Sequence, residues 1–175
     1  MELMLLRIFQ QQVEFQLKAL LDAHARLLAA LGRSDMDGTW FAVEGLLATA
    51  ANVSRSLWGE GDAANAARKP LRDSLGVDDR SPLSSRRMRN HFEHFDDRLN
   101  EWWAKSPNHN FIDMNIMPIG GITGPDRLDM FRQLDPTTGD VIFWGDKFSI
   151  PEIVAESLRI LPIVSAEASK PHWET

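Results

Sequence analysis

The first 31 residues place large side chains at alternating spacings of three and four. These positions are Leu6, Phe9, Val13, Leu17, Leu20, His24, Leu27 and Leu31. Because an α-helix has 3.6 residues per turn, this spacing brings them to one face. The chain is therefore expected to begin with a long amphipathic helix, which must bury that face against other elements.

A second stripe follows a turn that contains Asp35, Asp37 and Gly38. Its members are Trp40, Val43, Leu47, Ala50, Ser54 and Leu57. Gly59 and Gly61 come after the stripe, where glycine commonly ends a helix. The spacing and its flanks predict a second helix.

Two further helical pieces are predicted before residue 106. A short connector is expected over residues 62–76, and Ser81 with Pro82 is a favourable start for a longer helix that runs to about Lys105. The apolar stripe of that longer helix is Met88, Phe92, Phe95, Leu99 and Trp102. Three long helices and a short one predict an antiparallel four-helix-type bundle over residues 1–106.

The pattern changes after residue 107. Apolar residues from Phe111 to Ile119 are too dense for an amphipathic helix and predict a strand, and the turn residues of segment 135–140 predict a β-hairpin. Ser149 and Glu152 form a capping box for a final helix, which Pro162 is expected to kink or end. The fold class is thus mainly α with α+β character. Residues 107–175 form a small β appendage with a C-terminal helix, packed on the bundle, and the tail 165–175 is expected to be mobile.

Composition excludes several classes of function. The chain has no cysteine, so disulfide scaffolds, thiolate zinc sites and cysteine nucleophiles are ruled out. The net charge of −6 disfavours a uniformly basic binding surface, although it allows a local basic cleft. Since no secretory signal and no run of about 18 apolar residues is found, a soluble cytoplasmic protein without membrane association is expected.

The predicted fourth helix carries an unusual concentration of basic groups. Residues 86–98 hold two of the five histidines together with four arginines. On an ideal helix, Arg87, His91, His94 and Arg98 share one strip. Such a strip, with Arg86 beside it, can bind an anion, because guanidinium groups match phosphate and histidine exchanges protons near neutral pH. The alternative is an exposed face neutralised by its own salt bridges, for which Glu93, Asp97 and Glu101 are available.

The segment Arg89-Asn90-His91-Phe92-Glu93-His94 resembles the motif of HEPN domains, in which an arginine and a polar residue precede a histidine late in a four-helix bundle. The resemblance implies a metal-independent endoribonuclease of toxin–antitoxin or defence systems. It also implies a homodimer in which two motifs face one cleft, RNA as the substrate and an antitoxin-like protein partner. It carries over Arg89, Asn90 and His94 as catalytic residues.

These residue types suit that chemistry. Cleavage through the 2′-hydroxyl of RNA needs proton transfer, for which His94 is suited, and a cation at the scissile phosphate, for which Arg89 is suited. Asn90 can orient either group by hydrogen bonding. Arg86 and His91 have the same spacing as Arg89 and His94, so a second register of the motif stays open.

Two other interpretations remain. The first is a noncatalytic interaction or scaffold protein in which Arg86, Arg87, His91 and Arg98 bind an acidic partner. The second is a metal site formed by His91 and His94 with Asp97 or Glu101, completed from another helix by His24 or Glu44. The helix lacks the Glu-x-x-His pairs of carboxylate–histidine bundles, so neither a metal nor a cofactor is predicted.

Overall fold

A computed structural model of the chain describes residues 1–171 and 173. It is mainly helical, with a small mixed sheet and a final helix, as the sequence predicted. The elements are α1 (Leu3–Gly32), α2 (Met36–Trp58), α3 (Gly61–Ser74), α4 (Arg87–Glu93), α5 (Phe95–Lys105), β1 (Asn115–Ile116), β2 (Arg132–Asp135), β3 (Asp140–Phe143), β4 (Asp146–Ser149) and α6 (Ile150–Ala168). Short 3₁₀ turns lie at Pro82–Ser84 and Arg127–Asp129. Among the described residues, no helix combines the length and apolar character needed to cross a membrane.

The chain divides into two compact units. Residues 1–86 and 153–175 form one, here called the discontinuous unit, and residues 87–152 form the other, called the inserted unit. This grouping differs from the sequence-based division at residue 106, because α4 and α5 belong with the sheet. The division into a helical bundle over residues 1–106 and an appendage over residues 107–175 stays a prediction.

Helices α1 and α2 form the main packing layer of the discontinuous unit. All six members of the second stripe, from Trp40 to Leu57, are buried. The connection between the two helices is short, so they pack as an antiparallel pair. Asp35 precedes α2, and its carboxylate accepts a hydrogen bond from the Gly38 amide at 2.9 Å.

The buried face of α1 departs from the predicted one toward its N-terminus. Arg7 and Gln10 are buried, whereas Leu6 and Phe9 are only half-buried. Arg7 donates to Gln10 at 2.8 Å and to the Glu167 carboxylate at 3.0 Å. Burial of a guanidinium is tolerated here because it is paired and hydrogen-bonded.

Helix α6 does not end at Pro162, although an end there was one of the two effects expected of this proline. The helix continues through Pro162 to Ala168, and it buries Ile153, Ile160 and Val164 within the discontinuous unit. Packing of this apolar face compensates for the backbone hydrogen bond that proline cannot donate. The first residues of the segment 165–175, which was predicted to be mobile, thus belong to this helix. Residues 172, 174 and 175 of that segment lie outside the described residues.

The inserted unit contains a four-stranded sheet in the order β1-β2-β3-β4. Strands β2 and β3 pair antiparallel, with Asp135 opposite Asp140, and the predicted reversal at residues 135–140 joins them. Strand β4 adds a second antiparallel hairpin, and β1 pairs parallel to β2. The strand predicted over residues 111–119 is reduced to Asn115–Ile116 and one bridge at Ile112, because Met114 adopts a positive φ of 53°.

The predicted fourth helix is divided. Residues Pro82–Ser84 form a 3₁₀ turn in the discontinuous unit, and α4 and α5 meet at His94, whose φ of −104° and ψ of 39° leave the helical region. The Phe92 ring lies 6.1 Å from Phe143, and the Phe95 ring lies 5.4 Å from Phe131. These contacts bring both helices onto the sheet and override the single helical period of the sequence.

Candidate functional site

An open cavity of about 330 Å³ lies within the inserted unit. It is lined by Arg87, Asn90 and His91 from α4, Arg98 and Glu101 from α5, Arg127 from the 3₁₀ turn, and Trp144 and Asp146 from the β3–β4 hairpin. We call it the arginine cavity, because three of its eight lining residues are arginines.

The two-residue turn between β3 and β4 supplies one wall of the cavity. Trp144 and Gly145 both have positive φ, at 50° and 79°, as a type I′ hairpin turn requires. A bulky residue is rarely found in this region. Ring contacts with Phe131 and Phe143, each at 5.5 Å, hold Trp144 there. The Arg127 side chain donates to the Trp144 carbonyl, and a Cβ at residue 145 would meet its Nε at 2.9 Å, so glycine lets the arginine approach.

Asp146 directly follows this turn, and its carboxylate lies close to two of the cavity's arginines and to His91. Its Oδ2 lies 2.8 Å from Arg87 Nε and 2.8 Å from His91 Nε2. Its Oδ1 lies 3.8 Å from Arg127 Nη2. The carboxylate side chain is only 16% exposed, whereas Arg87 and Arg127 are 72% and 67% exposed. The aspartate therefore forms an inner anion beneath two solvent-facing guanidinium groups.

His91 links the aspartate to a third arginine. Its ring is buried and stacks on Phe143 at 4.8 Å with an interplanar angle of 7°. Arg98 Nε donates to His91 Nδ1 at 3.2 Å. Since arginine can only donate, Nδ1 is the acceptor, and Nε2 carries the proton and donates to Asp146. The two hydrogen bonds thus hold the imidazole in one orientation between Asp146 and Arg98.

Arg98 is held on its other side as well. Its guanidinium lies 5.8 Å from the centre of the Trp144 ring, and Nη1 donates to Glu101 Oε2 at 3.3 Å. Lys105 also donates to Glu101 at 2.7 Å, and these hydrogen bonds and charges, led by the one from Lys105, lower the pKa of Glu101. The two carboxylates and three guanidinium groups leave the cavity with an excess of one positive charge.

The structure brings together four of the seven predicted site residues: Arg87, Asn90, His91 and Arg98 all line the arginine cavity. Arg89 lies two positions from Arg87 and from His91, about 200° around the helix, and pairs instead with Glu93. Arg86 belongs to the discontinuous unit and lies 3.4 Å from Glu60.

His94 is outside the lining but one helical turn beyond Asn90. Its backbone amide donates to the Asn90 carbonyl at 3.1 Å, so the turn between them is kept. The imidazole is 59% exposed, and Nδ1 lies 3.8 Å from Asp97 Oδ2. Asn90 and His94 thus have the four-residue spacing of neighbours on one helix face.

Sequence reasoning missed Arg127, Trp144 and Asp146. The Gly145-Asp146 pair after an apolar run was an available turn signal, and it places Asp146 at the start of a strand. Arg127 lies in a loop and carries no local pattern. A contact such as that between His91 and Asp146, which lie 55 positions apart, cannot be deduced from helical spacing alone.

The residues considered for a metal site have other environments. His91 uses both ring nitrogens within the cavity. His24 is half-buried on α1, and burial lowers its pKa. Within residues 1–171 and 173, no three His, Asp or Glu side chains are grouped as a metal site requires.

The arrangement is suited to holding a phosphate group. Three arginines and the Asn90 amide offer many N–H donors around one open space, and arginine forks match phosphate oxygens. Comparison of the chain with protein-family models gives no match, and comparisons with curated proteins and with solved structures give none either.

Proposed function

We propose that the protein is a HEPN-like, metal-independent endoribonuclease that holds RNA phosphates in the arginine cavity. The observation that carries the proposal is that Arg87, Arg98 and Arg127 line one cavity, beside an exposed histidine one turn beyond Asn90. The cavity supplies binding of the polyanionic strand, and the Arg89-Asn90-His94 motif supplies the chemistry.

Binding rests on the guanidinium groups. Arg87 and Arg127 are mostly exposed, so they can turn from Asp146 toward an incoming phosphate without an extensive rearrangement. Arg98 is only 28% exposed and is held by His91 and Glu101, so it offers a fixed donor. An RNA backbone carries one negative charge per phosphate, and one such charge balances the excess positive charge of the cavity.

Cleavage requires a proton acceptor beside the bound phosphate. In the proposed reaction the ribose 2′-oxygen attacks the adjacent phosphorus, and the 2′-hydroxyl proton passes to His94. The bond between phosphorus and the 5′-oxygen of the next nucleotide breaks, and that oxygen takes a proton from water, which leaves a 2′,3′-cyclic phosphate and a 5′-hydroxyl. Asp97 is the acidic neighbour of this imidazole, with its Oδ2 at 3.8 Å from His94 Nδ1. Arg89, now paired with Glu93, is the cation that the resemblance assigns to the scissile phosphate.

The proposal includes the finer features that the resemblance implies. These are a four-helix-type bundle, a homodimer with facing motifs, an antitoxin-like protein partner and a cytoplasmic location. Within a dimer, the partner subunit's motif brings a second set of cations to the same cleft, which supports binding of a strand longer than one nucleotide.

The test is cleavage of labelled mixed-sequence RNA by the purified protein in EDTA. We expect wild-type protein to cleave, and His94→Ala to lower the rate by about 100-fold or more, because general acid–base transfer supplies that range. His109→Ala is the matched control, since His109 is an exposed histidine of the same unit that does not line the cavity. Equal loss in both variants, or none in His94→Ala, contradicts the assignment of His94.

A second candidate function is noncatalytic binding of an acidic partner at the same cavity. It is favoured by the ion pairs of Arg87 with Asp146 and of Arg98 with Glu101. Arginines that are already neutralised by carboxylates are more typical of a binding surface than of a reactive centre. RNA binding that Arg87→Ala weakens, without cleavage by the wild-type protein, supports this function over the nuclease.

A further inference from the structure

Four side chains form a continuous hydrogen-bonded series across the arginine cavity. Asp146 accepts from His91 Nε2 at 2.8 Å, His91 Nδ1 accepts from Arg98 Nε at 3.2 Å, and Arg98 Nη1 donates to Glu101 at 3.3 Å. The series joins β4 to α4 and then to α5. All four side chains line the cavity where a phosphate is proposed to bind.

The direction of each hydrogen bond depends on Asp146. The carboxylate accepts the Nε2 proton of His91, so the opposite nitrogen, Nδ1, is left as an acceptor. Only that tautomer can receive the Arg98 Nε–H. A ring protonated on Nδ1 would present a proton to the arginine and would exclude it. The burial of His91 against Phe143 keeps the ring from turning to another arrangement.

We propose that Asp146 is a positioning residue, which acts through His91 to hold the Arg98 guanidinium over Trp144 as the fixed phosphate ligand of the cavity. The inference rests on the proposed function and extends it by dividing the arginines into two roles. Arg98 is the pre-oriented donor, and its side chain loses little freedom when an anion binds. Arg87 and Arg127 are the exposed donors, which must leave Asp146 to contact the same anion.

Two possible roles of Asp146, as a negative charge and as a positioning residue, predict different effects of its replacement on RNA binding. If the carboxylate acted only as a negative charge, any neutral replacement would strengthen the binding of RNA, because like charges repel. If it positions Arg98, the result depends on whether the replacement can still accept the His91 proton. Asparagine keeps a carbonyl oxygen at the Oδ2 position, whereas alanine offers no acceptor.

The test compares Asp146→Asn with Asp146→Ala, which are both neutral. The probe is a short, labelled, single-stranded 2′-O-methyl RNA, which binds but cannot be cleaved through its 2′-oxygen, and the readout is fluorescence anisotropy. We expect Asp146→Ala to bind about tenfold more weakly than Asp146→Asn, as the loss of one hydrogen bond predicts. The same pair is then measured in an Arg98→Ala background, where we expect the difference to disappear.

Each outcome has a defined meaning. Equal binding by the two neutral variants, or a difference that persists without Arg98, overturns the positioning role while leaving RNA binding intact. If Arg87→Ala and Arg98→Ala both bind the probe as tightly as the wild type, the proposed function itself fails. Thermal unfolding of every variant establishes that it is folded at the assay temperature.

If Asp146→Ala does not fold, a variant of Arg98 provides an independent test of the proposal. Arg98→Lys keeps the positive charge, but lysine has no Nε–H group where Arg98 donates its hydrogen bond to His91 Nδ1. We expect it to bind the probe several-fold more weakly than the wild type. Arg80→Lys is the control, because Arg80 is a highly exposed arginine that does not line the arginine cavity. Unchanged binding by Arg98→Lys overturns the proposal.

Discussion

At the scale of single residues, Asp135 shows how the first hairpin is fixed. Its Oδ1 accepts from the Thr137 hydroxyl at 2.6 Å and from the Thr137 amide at 2.8 Å. Its Oδ2 accepts from the Ile119 amide at 2.9 Å. The hydrogen bond from the Thr137 hydroxyl, followed by that from Ile119, lowers the pKa of Asp135 to about 2. One carboxylate thus ties the turn to the segment after β1.

This pKa predicts a pH-dependent stability. A carboxyl whose folded pKa lies below its unfolded value stabilises the fold above the unfolded pKa and loses that effect as the pH falls. For Asp135 the window runs from the ordinary value of 3.8 down to about 2. We expect Asp135→Asn to be less stable than wild type at neutral pH, with the difference shrinking through this window. Urea unfolding at several pH values measures it, and the exposed Asp96→Asn serves as control.

The candidate site could be predicted only in part at this scale. Arg87, His91 and Arg98 were found because they are spaced by four and seven residues on a helix, and Asn90 because it belongs to the motif. Asp146 lies 55 positions from His91, and no local period connects them. The role of His91 as a link between Asp146 and Arg98 could be assigned only once both hydrogen-bond partners were known.

At the scale of elements, the start of α2 depends on a cap that the sequence makes visible. Asp35 accepts from the Gly38 amide, and Thr39 donates its hydroxyl to the Asp35 carbonyl at 2.7 Å. A Cβ at residue 38 would lie 2.3 Å from the Asp35 carboxylate, so the cap requires glycine there. The turn residues that separate the two apolar stripes thus determine where α2 begins.

Removal of this cap has a measurable cost. We expect Asp35→Ala to lower the free energy of unfolding by about 1 kcal/mol, because the Gly38 amide loses its acceptor. Asp35→Ser keeps a side-chain acceptor and is expected to retain most of the stability. Urea unfolding of the three proteins provides the comparison. Equal losses in both variants would show that the carboxylate acts by charge and not by capping.

Elements with a long, regular period were the predictable ones. The stripes of α1 and α2 extend over several turns, so a few irregular positions do not hide them. The division at His94 and the passage of α6 through Pro162 follow from packing, which local spacing cannot show. Strand β4, with four residues and no clear alternation, carried too short a signal.

At the scale of the whole molecule, the discontinuous unit is assembled from two separate parts of the chain. The parts are joined by direct contacts: Ser81 donates to Glu156 at 2.8 Å, and Arg159 donates to the Gly76 carbonyl at 3.0 Å. Arg7 and Glu167 add an ion pair between α1 and α6. The chain therefore leaves this unit and returns to it at neighbouring points.

This arrangement predicts that the inserted unit can be removed. Replacing residues 87–152 by a flexible linker of about eight glycine and serine residues spans the gap between the two parts. We expect the shortened protein to keep its helical circular dichroism and to unfold cooperatively. Leu20→Asp in the same protein is the control, because Leu20 is fully buried and its replacement should abolish the transition. A shortened protein without a cooperative transition contradicts the division into two units.

The return of the chain in α6 has a consequence for synthesis on the ribosome. Residues 87–152 emerge before Ile160 and Val164, so the inserted unit can finish folding while the discontinuous unit still lacks its last helix. During that interval, the surface of α1 that α6 later contacts stays exposed to solvent. Translation pauses within α6 should therefore increase aggregation of the nascent chain more than pauses before residue 87.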